Sequence, residues 1–408
     1  MQQCIPQNFI QPFVLNELTF AGGNMALPMD THPLSRNLRV LHILTLSSRN
    51  GDYGGPVRVA RELCRELSTR GIHTEIFSGA LKGNEPVPFE GLNESYVYVN
   101  SITRFYPLST LWSWKLIFSL NQRIKHSDLV HIHFARDLIS FTAALLCLLY
   151  RKKYVTQSHG MIVPDNRLAT RIIDSVFTIP FWKASSAIFV LHSQESSEIT
   201  KIYRNSKLRV LPNGIALNHN FEFEKHQPNL RVAFCARLHV DKGIDEFLFL
   251  AKSQRERPIK FEIYGPDGGE LSRSLSFIRE HNLSETVTYK GALATETVNS
   301  RLSEVDLLVL PSRYDNFPMV ILEALSVGTP VLVMPSCGIS TILASYNRYF
   351  VAQDASINGL IKSFEELTQL LPNISRKSLV QFCAKNFSIS KVCDDLTAEY
   401  ENILESHG

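Results

Sequence analysis

The chain has 408 residues, which is too long for one hydrophobic core of ordinary size and long enough for two domains of roughly 100–200 residues each. Its hydrophobic content of 44% and charged content of 20% are ordinary for a folded protein. The net charge of +3 is small for this length, so nothing in the composition demands a nucleic-acid partner, and none is expected.

The cysteines and the N-terminal segment indicate the cellular compartment. The seven cysteines form no Cys-x-x-Cys pair, and a scattered, odd set is typical of reduced thiols in the cytoplasm. Residues 1–37 lack the basic start and unbroken apolar core of a secretory signal, so they are expected to form a poorly ordered extension. The longest apolar run, 138–150, is too short to span a bilayer and favours a buried helix.

In the first half of the chain, apolar β-rich runs alternate with helical patterns. The predicted strands are 38–46, 73–78, 95–100, 128–134, 153–158, 186–191 and 208–211. The predicted helices are 56–70, 108–125, 137–150, 168–184 and 193–203. This alternation predicts a parallel sheet covered by helices on both faces.

The polar stretch 216–229 has no sustained periodicity and is predicted to be a linker between a domain at 38–215 and a domain at 230–387. In the second domain the predicted strands are 230–236, 259–264, 286–290, 306–310 and 330–334. A last helix, within residues 388–408, is expected to pack back toward the first domain. Two doubly wound, Rossmann-like domains would face each other across a cleft at the carboxyl ends of their strands, where such α/β folds bind ligands.

A glycine pair marks the first candidate ligand contact. Gly54 and Gly55 follow the first strand and precede Pro56 at a helix start. Glycine lets backbone approach a ligand closely, and the amides of a helix start can bind a phosphate or a sugar hydroxyl. A tight turn requires glycine and proline as well, so this motif alone does not decide between the two interpretations.

Two cations follow the first strand of the second domain. The segment 234–238, which contains Arg237, ends a strand, and Lys242 lies at the next helix start, five residues after Arg237. Both side chains can therefore converge on one anion, such as a leaving diphosphate whose charge grows as its bond breaks. The alternative is a pair of solvated surface cations.

A third motif joins a strand, a loop and a helix. The segment that would contact the ligand comprises Asp315, Asn316, Phe317, Pro318, Met319 and Val320. Glu323 lies on the helix that follows, where its carboxylate can accept two hydrogen bonds from adjacent ribose hydroxyls.

Together these motifs resemble those of the family-4 retaining glycosyltransferases, which have the GT-B fold. The family's phosphate-binding arginine and lysine match Arg237 and Lys242, and its two acidic residues, eight apart, match Asp315 and Glu323. The family usually has glutamate at both acidic positions, so Asp315 is a departure that shortens the side chain by one methylene. The resemblance runs from about residue 38 to the end of the chain.

In the first domain, His159 matches the position of the family's histidine beside the donor sugar, and 189–195 and 210–215 match two further family segments. His131 and His133 lie two apart and share one face of a strand. A metal site at this pair has no evident third ligand. The chain also contains no Asp-x-Asp motif, so neither a metal nor a resident cofactor is expected.

The resemblance implies a nucleotide diphosphate sugar as donor, with UDP and GDP as the expected carriers, and a glycan or lipid-linked hydroxyl as acceptor. His159, Arg237, Lys242 and Asp315 are the expected catalytic residues. Two rivals remain open: a nucleotide-sugar epimerase of similar build, and a catalytically inactive donor-binding subunit. The helix expected from residue 108 carries Trp112, Trp114 and several basic residues, which suits weak peripheral membrane contact. The protein is expected in the cytoplasm, at the inner face of the membrane if the acceptor is lipid-linked.

Overall fold

The computed structural model describes residues 37–49, 54–103, 108–204, 207–217 and 229–406. The extension predicted at 1–37 and the linker predicted at 216–229 lie almost entirely outside the described residues.

Twelve of the strands in the described residues agree with the predicted strands to within two residues, and two short strands, Asn100–Ser101 and Leu111–Trp112, were not predicted. In chain order the strands are β1 (Arg39–Leu46), β2 (His73–Ala80), β3 (Glu94–Tyr98), β4 (Asn100–Ser101), β5 (Leu111–Trp112), β6 (Leu129–His133), β7 (Tyr154–Gln157), β8 (Ala187–Val190), β9 (Leu208–Val210), β10 (Leu230–Cys235), β11 (Ile259–Tyr264), β12 (Val287–Gly291), β13 (Leu307–Leu310) and β14 (Val331–Val333).

The helices cover both faces of the two large sheets. In chain order they are α1 (Gly54–Thr69), α2 (Trp114–His126), α3 (Leu138–Leu149), α4 (Leu168–Ile173), α5 (Ile179–Ala184), α6 (Ser193–Ile202), α7 (Ile244–Ser253), α8 (Leu271–Glu280), α9 (Thr295–Ser303), α10 (Met319–Ser326), α11 (Ser340–Tyr346), α12 (Ile357–Leu370), α13 (Arg376–Phe387) and α14 (Ile389–Glu405). None of them is long and apolar enough to cross a membrane.

Two parallel sheets organise the chain, as the alternation predicted. The first has the order β3-β2-β1-β6-β7-β8-β9 and the second the order β12-β11-β10-β13-β14. The strand order reverses beside β1 in the first sheet and beside β10 in the second. In α/β folds a ligand binds at such a reversal, outside the carboxyl ends of the strands. The doubly wound GT-B architecture is confirmed.

Two predicted helices differ from the structure. The helix expected from residue 108 begins at Trp114, because Ser113 caps its amides and Leu111–Trp112 pairs with Asn100–Ser101 as an antiparallel strand. The helix expected at 168–184 contains a π-helical segment, Asp174–Thr178. Pro180 lacks an N–H and cannot bond to the carbonyl of Val176, and the wider turn just before it accommodates this loss.

The last helix belongs to the hydrophobic core of the first sheet. Val392, Leu396 and Tyr400 of α14 lie in one buried cluster with Val59 and other apolar residues of α1. The chain passes from the first sheet to the second after Ile215, and it returns to the first sheet at the start of α14. These two segments are in contact: Ile215 N–H donates to Phe387 O at 2.8 Å, and Ile389 N–H donates to Ile215 O at 2.9 Å. The two passages between the sheets are therefore hydrogen-bonded neighbours.

Candidate active site

A cleft of about 650 Å³ lies between the carboxyl ends of the two sheets. The predicted site residues that line it are Gly55, Arg237, Lys242, Asp315, Phe317, Pro318, Met319 and Val320. Four others, Gly54, His159, Asn316 and Glu323, lie outside this lining set, at the positions described below. The cations that also face the cleft from the first sheet's loops and helices are Arg49, Arg58 and Arg61.

The glycine pair begins helix α1, two residues earlier than the sequence predicted. A Cβ atom at Gly55 would meet no atom within 4 Å, so the space beside this residue is open. Gly54 is the first residue of the helix and is one position removed from the cleft lining. The helix start is thus placed to approach a ligand in the cleft.

Lys242 and Asp315 form an ion pair that joins the turn after β10 to the loop after β13. The distance from Lys242 Nζ to Asp315 Oδ2 is 2.6 Å. Gly243 makes this close approach possible, because its φ is 75° and a Cβ there would lie 1.9 Å from Pro311 O. A larger residue at Gly243 would push the two loops apart.

Arg237 is positioned by a glycine-rich loop that the sequence analysis did not single out. A Cβ at Gly265 would lie 1.8 Å from Ala236 O, and one at Gly268 would lie 2.8 Å from Arg237 Cγ. The amide of Gly268 donates to Leu238 O at 3.0 Å. The signal for this loop was the run 265–269 directly after a predicted strand, since closely spaced glycines there indicate close backbone approach.

Glu323 lies on α10, with 3% of its surface exposed, and its carboxylate accepts a charged hydrogen bond from Arg58 of α1. This ion pair crosses the cleft between the two sheets. Sequence reasoning missed Arg58, although a cation in the first turns of a helix is electrostatically unfavourable and points to an acidic partner elsewhere. In this structure the partner of the Glu323 carboxylate, which was expected to bind a ribose, is the Arg58 guanidinium.

His159 and Gly160 form a tight loop that contacts the segment after Asp315. Their φ angles are 50° and 73°, so both adopt the left-handed conformation, which is uncommon for histidine. Tyr314 Oη donates to Gly160 O at 3.2 Å, and a Cβ at Gly160 would overlap the side chain of Asn316. Asn316 in turn contacts His192 Nε2 through its Oδ1 atom at 3.0 Å, at the junction behind the cleft.

Glu195 holds the His159 loop in this shape. Its buried carboxylate accepts hydrogen bonds from Ser158 Oγ and the Gly160 amide, both at 2.6 Å, and from the Leu191 amide at 2.6 Å. Three donors on one carboxylate tie the loop after β7 to the strand end of β8. Glu195 lies in the segment 189–195 that the sequence analysis matched to the family.

His159 is also the end of a row of stacked imidazoles. His133 Nδ1 lies 2.7 Å from His159 Nε2, and His42 Nδ1 lies 3.2 Å from His133 Nε2. His131 stacks on both His42 and His133 with ring centroids 4.8 Å apart, and its Nδ1 lies 2.6 Å from Tyr400 Oη. Within the described ranges, no group of His, Cys, Asp and Glu side chains has the arrangement of a metal site.

Burial keeps these imidazoles neutral. It lowers the pKa of His42 and of His159 to about 3, and it lowers the pKa of His131 and His133 well below the ordinary value. A neutral imidazole carries one proton and can therefore donate one hydrogen bond and accept another.

Two facing α/β sheets with a cation-lined cleft at their strand ends have the architecture of the GT-B class. The model of "Glycosyltransferase Family 4" matches residues 53–219, and that of "Glycosyl transferases group 1" matches residues 216–379. The two models together match residues 53–379, and the chain belongs to the GT-B glycosyltransferases that they describe.

Individual proteins agree with this assignment. The O-antigen biosynthesis glycosyltransferase WclY of Escherichia coli is 24% identical over 228 residues, which is 52% of this chain but only 62% of WclY. A glycosyltransferase of Rickettsia africae ESF-5 has a TM-score of 0.72 at 15% identity, covering 91% of this chain and 99% of that one. HepE of Anabaena, solved with UDP-glucose, has a TM-score of 0.68 at 15% identity, covering 90% and 100%.

The neutral histidines predict a loss of stability in acid. Below pH 6.5 the unfolded chain takes up a proton at His42, whereas folded His42 stays neutral down to about pH 3, so stability falls as the pH falls through this range. From pH 7 to pH 5.5 this one group costs about 1.3 kcal/mol by linkage. Between pH 7 and pH 5.5, the free energy of unfolding of both proteins is measured by urea denaturation. We expect it to fall by about 1.3 kcal/mol less in His42→Phe than in the wild type.

Asp137, whose pKa burial raises to about 6, acts in the opposite direction in both proteins and cancels in the comparison. A control at the exposed His126, His126→Phe, should follow the wild type. Equal pH dependence of the wild type and His42→Phe would contradict a neutral, buried His42.

Proposed function

We propose that this glycosyltransferase moves a hexosyl group from a nucleoside diphosphate sugar to a hydroxyl of a glycan or lipid-linked acceptor, with retention of anomeric configuration and without a divalent metal. The observation that carries the proposal is the meeting of Arg237 and Lys242 in one cleft, opposite the start of α10. Two cations and a helix start at one point suit a diphosphate leaving group.

The proposed course is attack on the same face as the departing group. The leaving diphosphate accepts the proton of the acceptor hydroxyl while Arg237 and Lys242 stabilise its growing negative charge. Lys242 exchanges its contact with Asp315 for the phosphate, and Asp315 then faces the sugar. With two cations in place and no Asp-x-Asp motif in the chain, the residues present supply the charge that a bridging metal would otherwise provide.

Glu323 is proposed to bind the ribose hydroxyls of the donor. Its carboxylate is almost fully buried beside the cleft and makes an ion pair with Arg58. Two vicinal hydroxyls can replace the guanidinium as hydrogen-bond donors, which satisfies the same oxygen atoms.

Cell-surface polysaccharide or lipid-linked glycan assembly in the cytoplasm is the proposed setting. WclY is named for O-antigen biosynthesis, and HepE binds UDP-glucose. A UDP-sugar is therefore the first donor to try, with GDP-sugars next. A thermal-shift screen can find the donor, because a ligand at one hundred times its dissociation constant stabilises the fold by about 2.7 kcal/mol.

Replacing the proposed phosphate-binding cations should abolish most transfer. We expect Arg237→Ala and Lys242→Ala each to lower kcat by about a hundredfold or more, because each removes a charge placed at the leaving group. Steady-state kinetics with the donor found by the screen measure this effect. Lys260→Ala, at an exposed cation of the same domain, is the control and should keep wild-type turnover. Near-normal turnover of both cleft variants, with their folds intact, would refute the proposed function.

The two acidic residues should affect nucleotide binding unequally. We expect Glu323→Gln to weaken binding of the bare nucleoside diphosphate about tenfold, since charge-assisted hydrogen bonds are roughly twice as strong as neutral ones. Asp315→Asn should change it less, because Asp315 is assigned to the sugar. Titration calorimetry compares the two. Arg58→Met breaks the same ion pair as Glu323→Gln while keeping the carboxylate, so an equal loss in Arg58→Met would assign the effect to the ion pair instead of the ribose.

Membrane contact is proposed through the outer face of α2. Trp114 and Phe118 are 71% and 70% exposed beside Lys115, whereas Trp112 packs against the core and is unsuited to this role. We expect salt-sensitive binding to anionic liposomes that falls when Trp114 and Phe118 are both changed to serine. Leu275→Ser, at an exposed leucine of the second domain, is the matched control. Flotation that shows no liposome binding by the folded wild type at low salt would exclude this contact.

A further inference from the structure

His42, His133 and His159 form a chain of hydrogen bonds, called the imidazole chain below, in which all protons must point the same way. Nδ1 of His42 contacts Nε2 of His133, and Nδ1 of His133 contacts Nε2 of His159. Each neutral ring has a single proton, so the donor of the first contact decides the donor of the second. The three tautomers are therefore coupled: either every proton points toward His159, or every proton points away from it.

The buried end of the imidazole chain selects between these two directions. His42 is fully buried, and its Nε2 atom has no hydrogen-bond partner among the described residues. If the protons pointed away from His159, this atom would be an N–H group without an acceptor. Buried N–H groups without a partner are rarer than buried acceptors without one. The favoured direction places the proton of His42 on Nδ1, that of His133 on Nδ1, and leaves Nε2 of His159 as an acceptor.

The other end of the imidazole chain lies at the candidate site. His159 is partly exposed, unlike His42, His131 and His133, and the loop that carries it contacts Tyr314 and Asn316 beside Asp315. Since its Nε2 accepts from His133, the single proton of His159 is on Nδ1. That edge of the ring is then a hydrogen-bond donor, suited to a hydroxyl or phosphate oxygen.

Stacking keeps the rings aligned. His131 stacks on His42 and on His133, and its own Nδ1 contacts the Tyr400 hydroxyl of α14 at 2.6 Å. His133 and His159 are nearly parallel, with an interplanar angle of 10° and centroids 4.9 Å apart. The imidazole chain is thus held in place by ring packing as well as by its hydrogen bonds.

We propose that His42 and His133 are positioning residues that hold the partly exposed His159 in the Nδ1–H tautomer, so that its Nδ1–H donates a hydrogen bond to an oxygen of the sugar donor. The tautomer follows from the protein's own hydrogen bonds. Its use toward the donor rests on the proposed function.

Nuclear magnetic resonance of the full-length protein, labelled with 15N at histidine and free of ligand, tests the tautomer. In the wild type, we expect the long-range 1H–15N pattern of His159, assigned from His159→Gln, to show a protonated Nδ1 and a bare Nε2. His133→Phe keeps a stacked ring but removes the hydrogen bond, so His159 should become a mixture that includes the Nε2–H form. An Nε2–H signal for His159 in the wild type, or an unchanged signal in His133→Phe, would overturn the proposal.

Kinetics separate positioning from a purely structural role. His133→Phe should lower kcat/KM for the donor about tenfold, as expected for one hydrogen bond, while leaving the KM of the acceptor unchanged. His133→Asn should restore most of this loss, because its amide N–H lies where the Nδ1–H of histidine was. If Asn is as poor as Phe, or poorer, the residue serves packing alone and the positioning role is refuted.

His42→Phe provides a second variant should His133→Phe fail to fold. Without a donor from His42, the proton of His133 is released to either nitrogen, and His159 should again become a mixture of tautomers. His126→Asn, at an exposed histidine of α2, is the control and should change neither the resonances of His159 nor the kinetics. If the wild type shows the expected His159 resonances but transfers no sugar from nucleotide sugars, the tautomer is supported and the proposed function is refuted.

Discussion

In a parallel sheet the carboxyl ends of all strands lie at one edge, and the candidate site depends on this constraint in both domains. The constraint gathers the loop ends within each sheet, and the hydrogen bond from Tyr314 after β13 to Gly160 after β7 joins the two sets. Beside the strand-order reversals, the loop after β10 supplies Arg237 and Lys242, and the loop after β13 supplies Asp315. Glycine at 243 and 265 then lets neighbouring backbones approach so closely that these side chains share one cleft.

Two ion pairs between protein side chains dominate the electrostatics of the cleft. Lys242 is paired with Asp315, and Glu323 is paired with Arg58, so the charges assigned to the proposed donor have protein partners in this structure. If the proposed donor binds at these residues, its binding is an exchange of partners, and the free energy of binding is the difference between two sets of charged contacts. Because Arg58 and Glu323 come from opposite sides of the cleft, the exchange at Glu323 also removes a link between the two domains.

Local patterns were sufficient to predict the strands of the two large sheets and most helices, and to single out residues that the fold brings to the cleft, because strand period, caps and glycine turns are properties of short segments. The same patterns could not place Arg58 against Glu323, since 265 residues separate them. They also placed His131 and His133 on one strand face, yet gave no sign of His42, which joins them only through the pairing of β1 with β6. The early start of the predicted 108–125 helix failed for a different reason, because Leu111–Trp112 pairs with the nearby Asn100–Ser101 as a short antiparallel strand.

The packing of α14 against α1 has a consequence for synthesis on the ribosome. Helix α1 ends at Thr69 and its partner begins at Ile389, so roughly 320 residues must be translated between them. At about 5–20 residues per second this interval lasts roughly 16–64 seconds. Throughout that time the apolar face formed by Val59, Leu63 and Leu67 lacks the helix that covers it in the finished protein. The domain that is translated first is thus completed only after the second domain, and a nascent chain stalled before α14 is made would expose this face to chaperones.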